Sequence, residues 1–164
     1  MDMLSLNKDF SLYDLRLIGD LATHILSYDE LITLYRNLPT FDPYHYGEDT
    51  VIYRTQIHKI LNNICDICIN ENNIELATEI LNKHKNFAKV HTDLRYLFYI
   101  RINEIMINYL KDNDKKELDK LLEISESFKL AGDINTANAV KYQYNSHKNK
   151  ETYELKKAVS FDSL

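Results

Sequence analysis

The chain has no tryptophan, and only three glycines and two prolines among 164 residues. Strand-to-strand turns draw heavily on Gly and Pro. Their scarcity argues against a sheet protein and for helices joined by short connections. Two cysteines are too few for a disulfide framework. No run of about 18 apolar residues occurs, so no membrane-spanning helix is expected. The opening MDMLSLNKDF lacks a basic start followed by an apolar stretch, which a secretory signal requires, and the expected location is cytoplasmic. A net charge of −5 without a basic stripe argues against direct nucleic-acid binding. What is present is a 45 % hydrophobic content, enough to build a core.

That content is arranged as a repeat. The segment RTQIHKILNNICDICINENNIELATEILNKHK, from Arg54, is matched 41 residues later by RYLFYIRINEIMINYLKDNDKKELDKLLEISE, from Arg95. Ile57 then meets Phe98, Leu61 meets Ile102, Ile64 meets Ile105, Asn72 meets Asn113 and Leu81 meets Leu122. Each copy reads as an apolar helix, an Asn/Asp turn and an amphipathic helix. A period near 40 residues marks stacked helical hairpins. The expected fold is all-α, a tetratricopeptide-like stack of antiparallel hairpins forming a right-handed solenoid. Residues 1–164 read as a single domain with a lead-in over 1–10 and a tail or capping helix over 147–164.

Apolar spacing predicts a first helix over about 12–26. Ser27 and Glu30 form a capping box that starts a second, which ends near Asn37 ahead of Pro39. The stretch from Pro39 to Asp49, with Phe41, Tyr44 and Tyr46, is a connector whose aromatics pack onto neighbouring helices, or else a binding lid. A third helix is expected over 50–70, a turn at Asn72-Asn73, and a fourth over about 74–87. Thr92-Asp93 caps a fifth that reaches about Leu110. This fifth helix is apolar nearly all round, which places it at the centre of the stack. A sixth spans about 114–130, Gly132 takes a left-handed C-cap, and a seventh spans about 134–146. The closing HKNKETYELKKAVSFDSL reads as a capping helix or a frayed end.

Few residues are set out for chemistry. Cys65 and Cys68 form a CxxC, which elsewhere is a redox pair or half a zinc site. Here it sits mid-helix among isoleucines with no second ligand pair, and reads as two small core residues. The histidines are scattered, and no HExxH, Glu-x-x-His or Gly-rich phosphate loop occurs. The chain is expected not to be an enzyme and to need no metal or cofactor.

Four stretches in order, LYDLRLIGDLATHILSYDELITLY, KILNNICDICINENNIELATEIL, RYLFYIRINEIMINYLKDND and ISESFKLAGDINTANAVKYQY, resemble the C-terminal regulatory region of the Rgg/MutR-type transcription regulators of Gram-positive bacteria, over about Leu12 to Tyr144. The resemblance implies a helical-repeat domain that forms a homodimer and binds a short, re-imported peptide, in quorum sensing, to alter transcription. Family members carry a DNA-binding helix-turn-helix ahead of that domain. Nothing before Leu12 reads as one, so the chain is expected to be the regulatory part alone, or a regulator lacking its DNA-reading half.

A receptor for an extended peptide needs side chains that both donate and accept, as Asn does. The first helices of stacked hairpins usually line the concave face. They carry Asn62, Asn63 and Asp66, then Arg101, Asn103, Glu104 and Asn108; the seventh helix adds Asn138, Lys141, Tyr142 and Asn145. Asn62 and Asn103 are equivalent under the 41-residue offset, and Leu61-Asn62 looks like a Leu-Asn of similar proteins. Arg101, inside an apolar helix, needs a partner: a peptide carboxylate, or Glu104 or an acid of the next helix. Tyr96, Tyr99, Tyr142 and Tyr144 are pocket walls or core residues. The expected ligand is a short hydrophobic peptide. The competing reading is a helical-repeat adaptor for a protein partner, such as a truncated regulator paralogue without peptide sensing.

If the apolar tail forms the dimer interface, deleting Thr152 to Leu164 lowers the solution mass from dimer to monomer. Light scattering reads this directly, and an unchanged mass removes the tail from the interface.

Overall fold

A computed structural model describes the chain over residues 12–37 and 50–161; the side chains of 12, 20–24, 50 and 150–161 are not described. Seven helices account for it: α1 (Leu12–Ile25), α2 (Tyr28–Asn37), α3 (Thr50–Asn70), α4 (Ile74–Val90), α5 (Leu94–Asp112), α6 (Lys115–Leu130) and α7 (Ile134–Phe161). No strand occurs among the described residues, and no helix there is long and apolar enough to cross a membrane. The lead-in over 1–10 and the connector over 39–49 lie outside the described residues.

The helix boundaries follow local chemistry. Glu30 Oε2 accepts from the Ser27 amide at 2.8 Å and from its hydroxyl at 2.7 Å, and the Glu30 amide donates to Ser27 Oγ at 3.4 Å. These bonds, the hydroxyl's first, hold the Glu30 carboxyl below its usual range. Three later junctions share one device, a left-handed residue followed by a capping Asn or Asp. Asn72 (φ 57°), Asn113 (φ 51°) and Gly132 (φ 86°) make the turns. Asn73, Asp114 and Asp133 then accept from the amides of Leu76, Lys116 and Thr136. Asp93 does the same for Arg95 at the start of α5.

The fold divides into two compact units, Met1–Ile107 and Asn108–Leu164, with the boundary inside α5. In the first, α3 packs against α1, α2 and α4. Tyr53, Ile57, Ile60, Leu61 and Ile64 of α3 are buried, as are Ala77, Ile80 and Leu81 of α4. Leu31 and Leu34 of α2 gather Ile18, Leu26 and Ile67 around them. Two contacts between residues 41 apart join α3 to α5: Tyr96 Oη donates to the Thr55 carbonyl, and Asn103 Nδ2 to Asn62 Oδ1. Because both pairs share one offset, α5 runs parallel to α3 and in register with it. Contacts 44 and 45 residues apart relate the preceding elements: Asn63 to the Gly19 carbonyl, Tyr35 to Glu79, and Asn73 to Tyr28. A Cβ at Gly19 would stand 2.6 Å from Gln56 Oε1, so that flexible side chain would have to turn aside.

In the second unit α6 and α7 form a hairpin around Leu118, Leu121, Phe128, Ala137, Val140 and Tyr144. Its turn copies that of α3 and α4 at a 60-residue offset not anticipated from the sequence. The Asp133 amide donates to the Phe128 carbonyl as the Asn73 amide does to Cys68. Ser125 Oγ donates to the Ala137 carbonyl as Cys65 Sγ does to Ala77.

Two expectations about the helices are corrected. The fifth helix is not buried all round: Leu94, Leu97 and Arg101 are exposed along one strip. The seventh does not stop near Ser146 but continues to Phe161, because nothing after Gly132 breaks it. Residues 147–161 are helical as a continuation of α7.

The left-handed turns make a direct test. Asn tolerates that backbone and a β-branched residue does not. Asn72→Val and Asn113→Val are each expected to lower unfolding stability by about 1–2 kcal/mol. The corresponding Asn→Gly changes are expected to be tolerated. Denaturant unfolding measures both, and equal stabilities for the Val and Gly variants would contradict the assignment.

Candidate functional site

On a helix, residues three and four apart share a face. On α3 this places Lys59, Asn62, Asn63, Asp66 and Asn70 on one strip. The strip is bounded by two neighbours. Asn63 Nδ2 donates to the Gly19 carbonyl of α1 at 3.2 Å, and Asn62 Oδ1 accepts from Asn103 of α5 at 3.1 Å. Asn103 is buried, whereas Asn62 and Asn63 are half-buried. Asp66, one turn on from both, is half-buried too, and burial pushes its carboxyl above the usual carboxylate range. Neither a hydrogen bond nor an ion pair engages it among the described residues.

The α5 candidates fall elsewhere. Arg101 is exposed and pairs with Glu104, which also receives Lys85 of α4. Burial works against ionising Glu104, yet Lys85 and Arg101 together hold it below its usual range. The guanidinium thus has the internal partner weighed from the sequence, and it sits with α4 and α5 rather than on the α3 strip. Asn108 lies half-buried in the second unit. There Lys141, Tyr142 and Asn145 are exposed on α7, so they share a surface one turn long. Tyr144 is buried, donates to Asp119 at 3.1 Å and receives Lys148. Tyr96 is buried with Tyr99 edge-on to it. The candidates thus fall apart: Asn62, Asn63, Asp66 and Asn103; Arg101 with Glu104; the α7 set; and Asn108 by itself.

Cys65 and Cys68 are free and buried, with the Cys65 thiol donating to the Ala77 carbonyl. Burial raises the Cys65 pKa to about 12. No cluster of three or more metal-ligating side chains occurs among the described residues.

The sequence reading missed a histidine cluster. His58 and His84 are almost fully buried, and His91 is nearly so. His58 Nε2 lies 2.8 Å from the His91 carbonyl, which can only accept, so this nitrogen carries the proton. His58 Nδ1 is therefore an acceptor, and His84 Nε2, 2.9 Å away, donates to it. His84 Nδ1 is left bare and buried without a partner. Tyr96 stacks on His58 at 4.6 Å, and Phe87 meets it edge-on at 4.8 Å. A proton on either ring would set two donors against each other or bury an unsatisfied one. Burial, then the neighbouring His58, takes the His84 pKa down to about 3. Burial lowers His58 despite Asp93, and burial with Arg54 lowers His91.

Comparison with protein-family models, curated proteins and solved structures finds no match to the chain.

These neutral rings set an acid sensitivity. In the unfolded chain each binds a proton near pH 6.5; in the folded protein each holds a proton less readily, His84 least. The unfolded state therefore holds more protons as pH falls, so stability is complete above about pH 6.5 and declines below it. For His84 the decline continues to about pH 3. The slope is up to about 1.4 kcal/mol per pH unit for each ring. Asp66, whose carboxyl is raised, acts in the opposite direction at lower pH. Denaturant unfolding between about pH 7 and pH 5.5 separates the two, and His84→Leu is expected to flatten the slope there. A wild-type stability that stays level across this range would refute the neutral pair.

Proposed function

We propose that the chain is a ligand-sensing and dimerising helical-repeat module of the Rgg/MutR kind, which binds a short peptide along stacked hairpins. The supporting observation is the parallel, in-register contact of α5 with α3 through Thr55–Tyr96 and Asn62–Asn103. Together with Asn63–Gly19 and Tyr35–Glu79, it favours a row of α1, α3 and α5 backed by α2 and α4. That is the arrangement of a tetratricopeptide-like stack. The face of α3 between its two neighbours then becomes the floor of a groove. Its amides suit a backbone that offers both donors and acceptors. Binding favours whichever arrangement of helices or subunits the peptide contacts best.

A second reading, an adaptor for a folded protein partner, rests on a different observation. Val90, Leu94 and Leu97 are exposed apolar residues around the turn between α4 and α5.

Native mass spectrometry on the chain purified from its own host's lysate tests the proposal. The expected species is a dimer carrying a peptide of a few hundred to about a thousand daltons. A ligand-free monomer, or a complex with a larger protein, moves the assignment to the adaptor.

A further inference from the structure

Asp66 is the charge on the α3 strip that its surroundings leave unanswered. The carboxylate is half-buried and has no donor among the described residues. Lys59, the cation on the same strip, stands seven residues back, about 10 Å along the axis, and has interactions of its own. Removing a carboxylate from water without donors ordinarily weakens a fold. Such groups are found where a ligand brings the missing charge.

The neighbouring amides define what that ligand carries. Asn63 is oriented by its bond to the Gly19 carbonyl: the Nδ2 side donates, which leaves Oδ1 as an acceptor one turn from Asp66. Asn62 has the opposite polarity. Its Oδ1 is taken by Asn103, which leaves Nδ2 as a donor. The strip therefore offers a carboxylate and a carbonyl oxygen, which suit an ammonium, and beside them an N–H group, which suits a carbonyl. An ammonium followed closely by a carbonyl is the beginning of a peptide chain. A lysine side chain has the ammonium without the adjoining carbonyl.

We propose that Asp66 and Asn63 hold the N-terminal α-ammonium of the bound peptide, with Asn62 donating to its first carbonyl. This rests on the peptide reading above and adds an orientation to it: the free N-terminus is anchored on α3. A peptide blocked at its N-terminus loses the charge-assisted bond, and with it about tenfold in affinity.

The experiment uses three small probes on the isotopically labelled full chain, followed by NMR at the Asp66 carboxyl carbon and the Asn62 and Asn63 side-chain amides. Leucinamide has both the ammonium and the carbonyl, N-acetyl-leucinamide lacks the ammonium, and n-butylammonium lacks the carbonyl. Leucinamide is expected to give saturable shifts at all three residues, and butylammonium to bind at least about tenfold more weakly. N-acetyl-leucinamide is expected to give none. Asp66→Asn is expected to abolish the leucinamide response while keeping or raising the unfolding midpoint, because it replaces a half-buried charge with a neutral amide. Absence of saturation by leucinamide, or an equal response to its acetylated form, overturns the proposal on wild-type protein alone. An equal response to butylammonium also overturns it, in favour of a lysine side chain. The probes need no long groove. A response here with no peptide retained in native mass spectrometry would therefore sink the peptide reading and leave the anchor standing.

Discussion

The first unit depends on α3, which packs against α1, α2 and α4 and reaches α5 through side-chain bonds. Its apolar residues, Ile57, Ile60, Leu61 and Ile64, meet the other helices as a core. Its amides do a different task. Asn62 and Asn63 are adjacent in sequence and so point about 100° apart around the axis. One reaches α5 and the other α1. Apolar packing alone tolerates sliding of one helix along another, whereas a directed bond to a buried amide such as Asn103 does not. Each amide bond contributes only about 1 kcal/mol net. Its larger effect is on register, because a shifted helix would leave a buried amide unpaired.

The histidine cluster carries the same logic at one end of the contact. His58 belongs to α3, His84 to α4, and the His91 carbonyl closes the chain just past α4. Tyr96, at the start of α5, covers His58 with its ring and bonds the Thr55 carbonyl with its hydroxyl. Three helices thus meet here, and the His58–His84 bond among them suits only neutral rings. This end of the unit is sensitive to acid, whereas the Asn62–Asn103 bond two turns away has no titrating group.

What the sequence disclosed was chiefly local. The Ser27–Glu30 box, the Asn72 turn and the Gly132 cap are set by residues within one turn, so their chemistry is visible in the string itself. The 41-residue offset was legible too, and it reappears as contacts between equivalent residues, Thr55 with Tyr96 and Asn62 with Asn103. The 60-residue echo was harder to find. It survives in Leu61 against Leu121, Ile64 against Ile124, Asn72-Asn73-Ile74 against Gly132-Asp133-Ile134 and Ala77 against Ala137, too few positions to stand out beside the 41-residue match. The histidine cluster left no pattern, since His58 and His84 are 26 residues apart and meet only through tertiary packing. The open strip of α5 was hidden for a related reason. An apolar helix discloses how much it can bury but not which side its neighbours leave uncovered. The Asn, Asp and Arg candidates were chosen by chemical type, and type cannot say that Arg101 would turn toward Glu104 while Asp66 would stay alone.

That last difference separates the two charges in what they mean. Arg101 is exposed and paired, so its interactions are complete without a ligand, and its salt bridge is worth little in water. Asp66 is half-buried, has no partner among the described residues, and is held above the usual carboxylate range by burial. A residue that only filled space on this strip would gain from being Asn, like its neighbours at 62, 63 and 70. The strip instead holds three amides and one acid, with the acid set one turn beyond the two amides that fix α3 between α1 and α5. The rigid amide seam gives an ammonium on Asp66 a fixed place to stand. The isolated charge gives that place a preference for a cation over a neutral group. The register bonds and the proposed ammonium site thus share the same two turns of α3, so sliding α5 or α1 along it would disturb both.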